Sequence, residues 1–291
     1  MSQLYRNRID IMRAVFLFLK KRMIHQFLFS ILINPYMKGF YSGTIYQGTL
    51  KKICVPVLNC YSCPGAVMSC PIGTLQHMIA YFKYNFSLIV AGTLMVIGSI
   101  SGRWVCGHMC PFGLVQDVLA RIIRKKYNPS RFFYYIPWLL LGIFTVILPL
   151  LTKNPTFCKY ICPQGMFQGG LWLPFFNDYQ LGWLYASKIT ILLIILAASI
   201  FIVRPFCRYI CPLGLVLGLF NTISLFRMNV DKTICISCDR CKKVCPMDIE
   251  VYKTPDSSAC IRCLDCIPAC PVSCISFSTK SKEVSDEKNS N

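Results

Sequence analysis

Four mostly apolar stretches alternate with polar, cysteine-containing segments over the first three quarters of the chain. They cover residues 23–37, 86–100, 132–151 and 189–203. About 20 mostly apolar residues are needed to cross a bilayer, and the last three stretches reach that length with their apolar neighbours. The first is interrupted by polar residues, but it follows a basic cluster and precedes a cysteine segment like the others. We therefore predict four transmembrane helices.

Each stretch is followed by a Cys-Pro-x-Gly unit, which makes the apolar region an internal repeat. The four units are Cys70-Pro71-Ile72-Gly73, Cys110-Pro111-Phe112-Gly113, Cys162-Pro163-Gln164-Gly165 and Cys211-Pro212-Leu213-Gly214. The last three units have a second cysteine four residues earlier, at Cys106, Cys158 and Cys207. A glutamine follows the first three units, at Gln76, Gln116 and Gln168. The repeat predicts that the helices form a duplicated two-helix unit.

A second repeat lies near the C-terminus and has the spacing of a bacterial two-cluster ferredoxin. Four cysteines spaced C-x2-C-x2-C-x3-C and followed by a proline occur twice, and in such ferredoxins the fourth cysteine binds the other cluster. The predicted ligands are Cys235, Cys238, Cys241 and Cys270 for cluster 1, and Cys260, Cys263, Cys266 and Cys245 for cluster 2. Zinc sites are the alternative, but they prefer paired C-x2-C knuckles with longer spacers. The remaining Cys274 is interpreted as a small packed hydrophobe.

These patterns predict a mainly α membrane protein that ends in a small α+β ferredoxin domain. The predicted parts are a basic cytoplasmic N-terminus (1–22), a four-helix transmembrane domain (23–228), a domain with two [4Fe–4S] clusters (229–276) and a disordered tail (277–291). The tail is rich in Ser, Lys, Glu and Asn, a composition that cannot bury enough apolar surface to fold.

Composition and charge favour the membrane assignment. The chain is 55% hydrophobic and 15% charged, whereas a soluble domain carries about 25% charged residues. Its 31 basic and 12 acidic residues give a net charge of +19, and most of the basic residues flank apolar stretches. That placement indicates orientation signals and anionic lipid rather than nucleic acid. It predicts a multi-pass protein of the bacterial or archaeal cytoplasmic membrane, with both termini and the ferredoxin domain in the cytoplasm.

The cysteines of the Cys-Pro-x-Gly units fall into two groups if the four helices alternate in direction. The candidate inner-face metal centre is Cys106, Cys110, Cys207 and Cys211. The candidate outer-face centre is Cys60, Cys63, Cys70, Cys158 and Cys162, with Cys54 nearby. Backbone N–H groups freed where a helix breaks suit thiolate or sulfide, and they tune the potential of a cluster. Disulfides at the outer face and structural thiols at the inner face are the alternatives.

Other cofactors leave a weaker trace in the sequence. The three histidines are His25, His77 and His108, and His25 and His77 lie too far apart along the predicted topology to share a haem. His108 stands between Cys106 and Cys110, where contact with a metal centre or a quinone is an open alternative. No glycine-rich nucleotide loop occurs in a strand–helix context, so the electrons are expected to come from redox partners.

Several segments together resemble a known family, the NapH-type membrane polyferredoxins. They are residues 103–113, Arg-Trp-Val-Cys-Gly-His-Met-Cys-Pro-Phe-Gly, then Cys207-x3-Cys211-Pro212-Leu213-Gly214, and the two ferredoxin motifs. The family is related to quinol dehydrogenase membrane subunits and to the membrane part of nitrous-oxide-reductase regulators. The resemblance implies electron exchange between the quinone pool and redox partners through cytoplasmic clusters. The chain departs from the family at Cys60, Cys63 and the unit Cys158–Cys162, so the resemblance does not identify its partner.

The sequence predicts an integral membrane electron-transfer protein, which acts as a quinol dehydrogenase-like oxidoreductase subunit rather than a self-contained enzyme. It would pass electrons between cytoplasmic ferredoxin-type partners and the quinone pool or an outer-face partner, within a membrane complex. The predicted cofactors are two [4Fe–4S] clusters, with one or two further iron–sulfur centres at the membrane and a quinone as further candidates. An alternative is an electron-donating maturation or regulatory protein for another metalloenzyme, such as a copper enzyme, oxidase or reductase. An ion transporter is disfavoured, because the three strong spans lack a clear Asp, Glu or Lys.

Overall fold

The computed structural model describes residues 22–81, 88–123, 133, 135–176 and 182–279 of the 291-residue chain. Within these ranges the chain is mostly helical and has one two-stranded antiparallel sheet near its end. The predicted basic N-terminus up to residue 21 and the predicted disordered tail from residue 280 lie outside the described residues.

The helices are mostly short, and many of them begin at a proline. In chain order they are α1 (Arg22–Ile33), α2 (Lys38–Ser42), α3 (Pro71–Tyr81), α4 (Leu88–Ser101), α5 (Trp104–His108), α6 (Pro111–Leu119), α7 (Ile136–Thr152), α8 (Leu173–Phe176), α9 (Trp183–Phe201), α10 (Pro205–Tyr209), α11 (Pro212–Leu219), α12 (Arg240–Val244) and α13 (Cys266–Ala269). The centre of α7, Leu140–Ile147, is π-helical, and single π turns occur at Phe157–Ile161 and Met166–Gly170. Two 3-10 turns lie at Thr49–Lys52 and Phe220–Thr222.

Helices overlap all four of the predicted apolar stretches. Among the described residues, α9 is long and apolar enough to cross a membrane by length and composition, while α1, α7, α11 and most of α4 form shorter apolar helices. Large apolar side chains on α1 are more than half exposed, for example Leu28 at 57% and Leu32 at 64%. On α9, Leu193 and Ile194 are similarly exposed.

The Cys-Pro-x-Gly units are the places where short helices begin. Cys110 and Cys211 have extended backbone angles, and α6 and α11 start at the next residue, which is a proline. Proline suits the first helical position, because its fixed φ matches the helix and its missing N–H would have no intrahelical partner there. The second and fourth units therefore place their cysteines at the start of a helix, beside free backbone N–H groups.

The segment between α2 and α3 is irregular but largely buried, and it carries four cysteines. Its backbone oxygen atoms are bonded by buried side chains: Asn59 Nδ2 donates to Met68 O at 2.9 Å, and Gln164 Nε2 donates to Leu58 O at 3.1 Å. Irregular backbone survives inside a protein when its polar groups are paired in this way. The segment thereby brings its cysteines into the core.

The C-terminal part forms a compact ferredoxin-like unit closed by strands β1 (Phe226–Val230) and β2 (Ile275–Thr279), which pair antiparallel. Both strands extend past the predicted limits of 229–276. The prediction of disorder is wrong for residues 277–279, because Phe277 stacks on Phe226 with ring centroids 6.0 Å apart and Asn229 Nδ2 donates to Ser278 Oγ at 2.7 Å.

Buried polar contacts fix this ferredoxin unit on the helical part. The Arg262 side chain is fully buried and donates to the carbonyl oxygen atoms of Ser101, Asn221 and Phe226. Asn221 Nδ2 in turn donates to Ser257 O and Cys260 O, both at 2.8 Å. The cysteine loop that begins at Cys260 is therefore held directly against the helices.

Candidate metal centres

The two tail motifs adopt the same unusual backbone conformation. Residues with positive φ occur at matching positions after the first and fourth cysteines of each motif. They are Ser237 and Arg262, Asp239 and Leu264, and Asp248 and Ser273. Such conformations cost a non-glycine residue roughly 1–3 kcal/mol and cluster at ligand sites, where the surrounding structure enforces them. Both loops therefore have the backbone of a ligand-binding loop.

The fourth cysteine of each motif lies near the other motif. Cys245 interacts electrostatically with Cys260, Cys263 and Cys266. Burial raises the pKa of the Cys245 thiol, so iron binding must displace a proton there. This proximity agrees with the predicted ligand set of cluster 2.

Cys270 similarly lies with the first motif. Its sulfur is 3.4 Å from that of Cys274, which also hydrogen bonds Cys235. Cys235 in turn interacts electrostatically with Cys241, as does Cys238. The structure thus brings the members of each predicted set together, while their binding of iron stays a prediction. Cys274, which we interpreted as a packing residue, contacts two predicted ligands of cluster 1.

Four further cysteines line one narrow cavity between the second and fourth units, and we call them the proximal quartet. They are Cys106, Cys110, Cys207 and Cys211, the candidate inner-face set. All four are buried free thiols, and each sulfur interacts electrostatically with the other three. Arg103, Gly214, Val57, Leu58 and Leu213 complete the wall of the cavity.

The second and fourth units each contribute an arginine that hydrogen bonds to the backbone of the other unit. Arg103 and Arg204 each stand three residues before the first cysteine of their own unit. Arg103 Nη2 donates to Cys207 O, and Arg204 Nη1 donates to Cys106 O at 2.8 Å. A Cβ on Gly214 would lie 2.7 Å from Arg103 Nη2, and one on Gly113 would lie 3.2 Å from Arg204 Nη2. The glycine of each unit thus leaves room for the arginine of the other.

The charges around the proximal quartet suit an anionic occupant. Arg204 is fully buried and pairs with Asp117 at 2.6 and 2.8 Å, and Asp117 also pairs with Arg22. Arg103 is 5% exposed and bonds two carbonyl oxygen atoms, and among the described residues it has no carboxylate partner and its Nε is unpaired. A buried cation without a counter-charge is costly. Thiolates bound to iron would supply negative charge, so these residues fit an iron–sulfur cluster.

Hydrogen-bond donors also point at the sulfur atoms of the proximal quartet. Gln116 Nε2 donates to Cys207 Sγ at 3.2 Å, while its Oε1 accepts the Phe206 N–H at 3.1 Å. The Gly214 N–H donates to Cys211 Sγ at 3.3 Å. Hydrogen bonds to thiolate or sulfide stabilise the more negative state and tune the potential of a cluster.

The candidate outer-face cysteines separate into two groups. Cys60, Cys70, Cys158 and Cys162 interact electrostatically in all pairs, and we call them the distal quartet. Cys63 instead donates to Gln168 O at 3.5 Å and lines an apolar cavity of about 500 Å³. Cys54 donates to Thr74 Oγ1 at 3.7 Å. His108 stacks on Trp104 and, among the described residues, does not line the proximal cavity.

The Cys-Pro-x-Gly units lie within the residues that match a known protein family. The 4Fe-4S binding domain family matches residues 69–88, 85–130, 135–176 and 187–232, which together make up more than half of the chain. The chain belongs to this family. Each match of the 4Fe-4S binding domain contains one unit, and the last match ends before Cys235, the first tail cysteine. The family assignment therefore rests on the units rather than on the ferredoxin motifs.

Three relatives of this 4Fe-4S binding protein extend the comparison. Two are the uncharacterized proteins MJ0749 and MJ0750 of Methanocaldococcus jannaschii, 27% and 28% identical, with alignments that cover 74% and 64% of the chain and 80% and 76% of the relatives. The third is YccM of Escherichia coli K12, whose name proposes electron transport. It is 28% identical over 57% of the chain and 48% of its own length. No solved structure matches the chain.

Neither the arginines nor the role of Gln116 was predicted from the sequence, although both left a signal. Aligning the second and fourth units shows Arg-x2-Cys-x3-Cys-Pro-x-Gly in each.

Among the described residues, no group of three or more His, Cys, Asp or Glu side chains is placed to hold a single metal ion.

Proposed function

We propose that the chain is an integral membrane iron–sulfur protein that transfers single electrons between a cytoplasmic redox partner and the quinone pool or a partner at the other face. Two [4Fe–4S] clusters in the tail and one in the proximal quartet would supply this chemistry, because such clusters take up and release one electron at a time. The observation that best supports this proposal is that the Cys260 loop is docked on the proximal quartet.

The docking is made by side chains that serve both sites. Arg103 Nη1 donates to Ser258 O at 3.1 Å, while Nη2 of the same guanidinium donates to Cys207 O. A Cβ on Gly107 would lie 2.5 Å from Ile261 O, so this glycine allows the tail loop to touch α5. These contacts hold the cysteines of cluster 2 at a fixed short distance from the proximal quartet, as electron transfer between them requires.

The other end of the tail is accessible to a partner. Cys238 is exposed, and Ile234, Ile236 and Val244 are exposed at 51%, 61% and 43%. These apolar side chains lie close in sequence to the exposed cysteine of cluster 1, so we propose that a redox partner docks at this end of the tail. Electrons from a cytoplasmic donor would enter here.

The apolar exposure of α1 and α9 supports the membrane part of the proposal, because such faces are stable against lipid rather than water. We propose four transmembrane helices in a duplicated two-helix arrangement, in a bacterial or archaeal cytoplasmic membrane, with both termini in the cytoplasm. The resemblance to NapH-type polyferredoxins supports a quinone as the second partner.

Anaerobic iron and acid-labile sulfide analysis of the detergent-purified chain tests this proposal. We expect at least about twelve irons, of which Cys106→Ser and Cys211→Ser each remove about four. In vesicles that contain a quinone, reduction of the tail should reduce the quinone in the parent but not in these variants. Eight irons in the parent, unchanged in both variants, would overturn the assignment of the proximal quartet. Equal quinone reduction by parent and variants would overturn the route.

A further inference from the structure

We propose that the distal quartet, Cys60, Cys70, Cys158 and Cys162, binds a second [4Fe–4S] cluster in the helical part, and that Cys63 and Cys54 are not ligands. The inference rests on the proposed function for its redox role, but the site is argued from its own residues. Four thiols are the donor set of iron–sulfur or zinc sites, and the family of this chain binds [4Fe–4S] clusters.

The first and third units face each other as the second and fourth do. Gln76 Oε1 accepts the Phe157 N–H at 3.0 Å, and its Nε2 lies 3.6 Å from Cys158 Sγ. Gln116 makes the same two bonds, to Phe206 and Cys207, on the proximal side. Each glutamine therefore bonds the first cysteine of the opposite unit and the residue before it.

Cys60 takes the place of a cysteine that the first unit lacks. Four residues before Cys70, where the other units have cysteine, the chain has Ala66. The buried segment brings Cys60 to the site instead, and its N–H donates to Gln168 Oε1 at 2.8 Å. A Cβ on Gly165 would lie 3.2 Å from Cys60 Sγ, so the glycine of the third unit makes room for this sulfur.

The other two cysteines of this region are held as thiols by their own acceptors. Cys63 donates to Gln168 O, and Cys54 donates to Thr74 Oγ1. Cys63 interacts electrostatically with Cys60, whereas each member of the distal quartet interacts with the other three. These contacts favour the distal quartet over Cys63 and Cys54 as the ligand set.

Basic residues lie beside the distal quartet, as they do beside the proximal one. Lys188 interacts electrostatically with Cys60, Cys158 and Cys162, and Lys51 interacts with Cys60. Among the described residues, neither lysine forms an ion pair with a carboxylate. Their charge is therefore available to balance a thiolate-bound cluster.

The segment that carries Cys60 also reaches the proximal cavity, so the two quartets are neighbours. Leu58 lines the proximal cavity, and Cys60 is only two residues further along the chain. Two residues span at most about 7 Å between their Cα atoms, compared with about 30 Å for the bilayer core. A cluster in the distal quartet would therefore continue the relay that begins in the tail.

Iron and sulfide content again provides the test, and Cys63→Ser is the matched control in the same segment. We expect about sixteen irons in the parent, a loss of about four in each of Cys60→Ser, Cys158→Ser and Cys162→Ser, and no loss in Cys63→Ser. Full iron in the three variants would overturn the distal site. An equal loss in Cys63→Ser would also overturn it, and so would a loss of only about one iron in the three variants. Disulfides detected by thiol counting in the metal-free denatured parent would overturn it as well.

A second kind of variant distinguishes the loss of a ligand from misfolding of the serine variants. Gln76→Leu keeps all four cysteines, and we expect it to retain the parental iron content while shifting one reduction potential to a lower value. The shifted centre should be the one that Cys162→Ser abolishes and Cys211→Ser retains. A shift in any other centre, or in none, would contradict the site. Loss of iron in Cys211→Ser with unchanged iron in Cys162→Ser would leave the proposed function standing and overturn this inference alone.

Discussion

At the scale of single residues, Arg103 and Arg204 show how a repeated motif can build a charged site, because each bonds to the unit opposite its own. Arg204 is neutralised by Asp117, whereas Arg103 has no carboxylate partner among the described residues. The positive charge of Arg103, buried beside four thiols, favours the more negative state of a cluster and its thiolates. Arg103 should therefore influence the potential of the proximal centre more strongly than any neutral neighbour.

Replacing Arg103 with methionine should lower the reduction potential of the proximal centre. At an effective dielectric constant of about 20, a unit charge some 6 Å away is worth about 3 kcal/mol, which is on the order of 100 mV for one electron. A potentiometric titration followed by electron paramagnetic resonance measures the shift. The matched control is Arg227→Met, since Arg227 also donates to carbonyl oxygen atoms but outside the quartet. Equal potentials in the two variants would rule out the electrostatic role of Arg103.

Cys274 illustrates a contact that spacing alone did not reveal. Its sulfur lies 3.4 Å from Cys270 Sγ, so its S–H can donate to a predicted ligand of cluster 1. Removing a hydrogen bond worth about 1 kcal/mol corresponds to a decrease of roughly 40 mV. We expect Cys274→Ala to retain all its iron and to lower the potential of one tail cluster by this amount. A loss of about four irons would show instead that Cys274 is a ligand.

At the scale of elements, close approaches between backbone segments fix the tail on the helices. Gly107 in α5 faces Ile261 O, and Gly107→Ala would place a Cβ 2.5 Å from that oxygen. Overpacking of this kind costs about 1–3 kcal/mol. We expect faster hydrogen exchange at the docked Cys260 loop and slower reduction of the proximal centre by the tail, with unchanged iron content.

Gly92→Ala in α4 is the control for this substitution, because a Cβ there meets no atom within 4 Å. It should leave exchange and electron transfer at their parental values, and in a helix it should be neutral or slightly stabilising. If Gly107→Ala behaves like Gly92→Ala, the loop is not held by this contact.

The sequence predicted those elements whose signals are local. The Cys-Pro-x-Gly units predicted where helices break, and α3, α6 and α11 begin at their prolines. The sequence placed Cys60 among the candidate outer-face cysteines but could not separate it from Cys63, because that distinction depends on the long-range bond from the Cys60 N–H to Gln168 and on space at Gly165. The ends of the ferredoxin unit were also missed, since the strand pairing that extends them joins residues about 50 positions apart.

At the scale of the whole molecule, the proposed membrane location has a direct test. If α1, α4, α7 and α9 span the bilayer, the protein should stay in the membrane fraction through an alkaline carbonate wash. A reporter active only in the cytoplasm should work when fused after residue 291, and it should fail when fused in the loop at residues 153–156. Release by carbonate, or activity at both positions, would contradict the four-helix topology. A known soluble protein expressed in parallel provides the control for the wash.

The exposed end of the tail indicates the charge of its partner. Around Cys238 and the apolar side chains Ile234 and Ile236, the exposed charged residues include Lys232, Arg240 and Lys243. Lys242 lies nearby but is paired with Glu250 at 2.7 Å, and together with Lys253 it lowers the pKa of that carboxyl to about 2. Asp231 is also exposed there, but the three exposed basic residues outnumber it, and we expect an acidic redox protein to dock on this surface.

Charge reversal at Lys243 should slow this encounter without altering the clusters. For Lys243→Glu, we expect the second-order rate of reduction by a small acidic ferredoxin to fall roughly three- to ten-fold at low ionic strength, because charges at an interface mainly steer association. The difference should shrink as salt rises and the Debye length falls to about 8 Å near 0.15 M. Lys52→Glu makes the same charge change at an exposed site in the helical part and should keep the parental rate in stopped-flow measurements. A salt-independent decrease, or equal decreases in both variants, would place the entry of electrons elsewhere on the molecule.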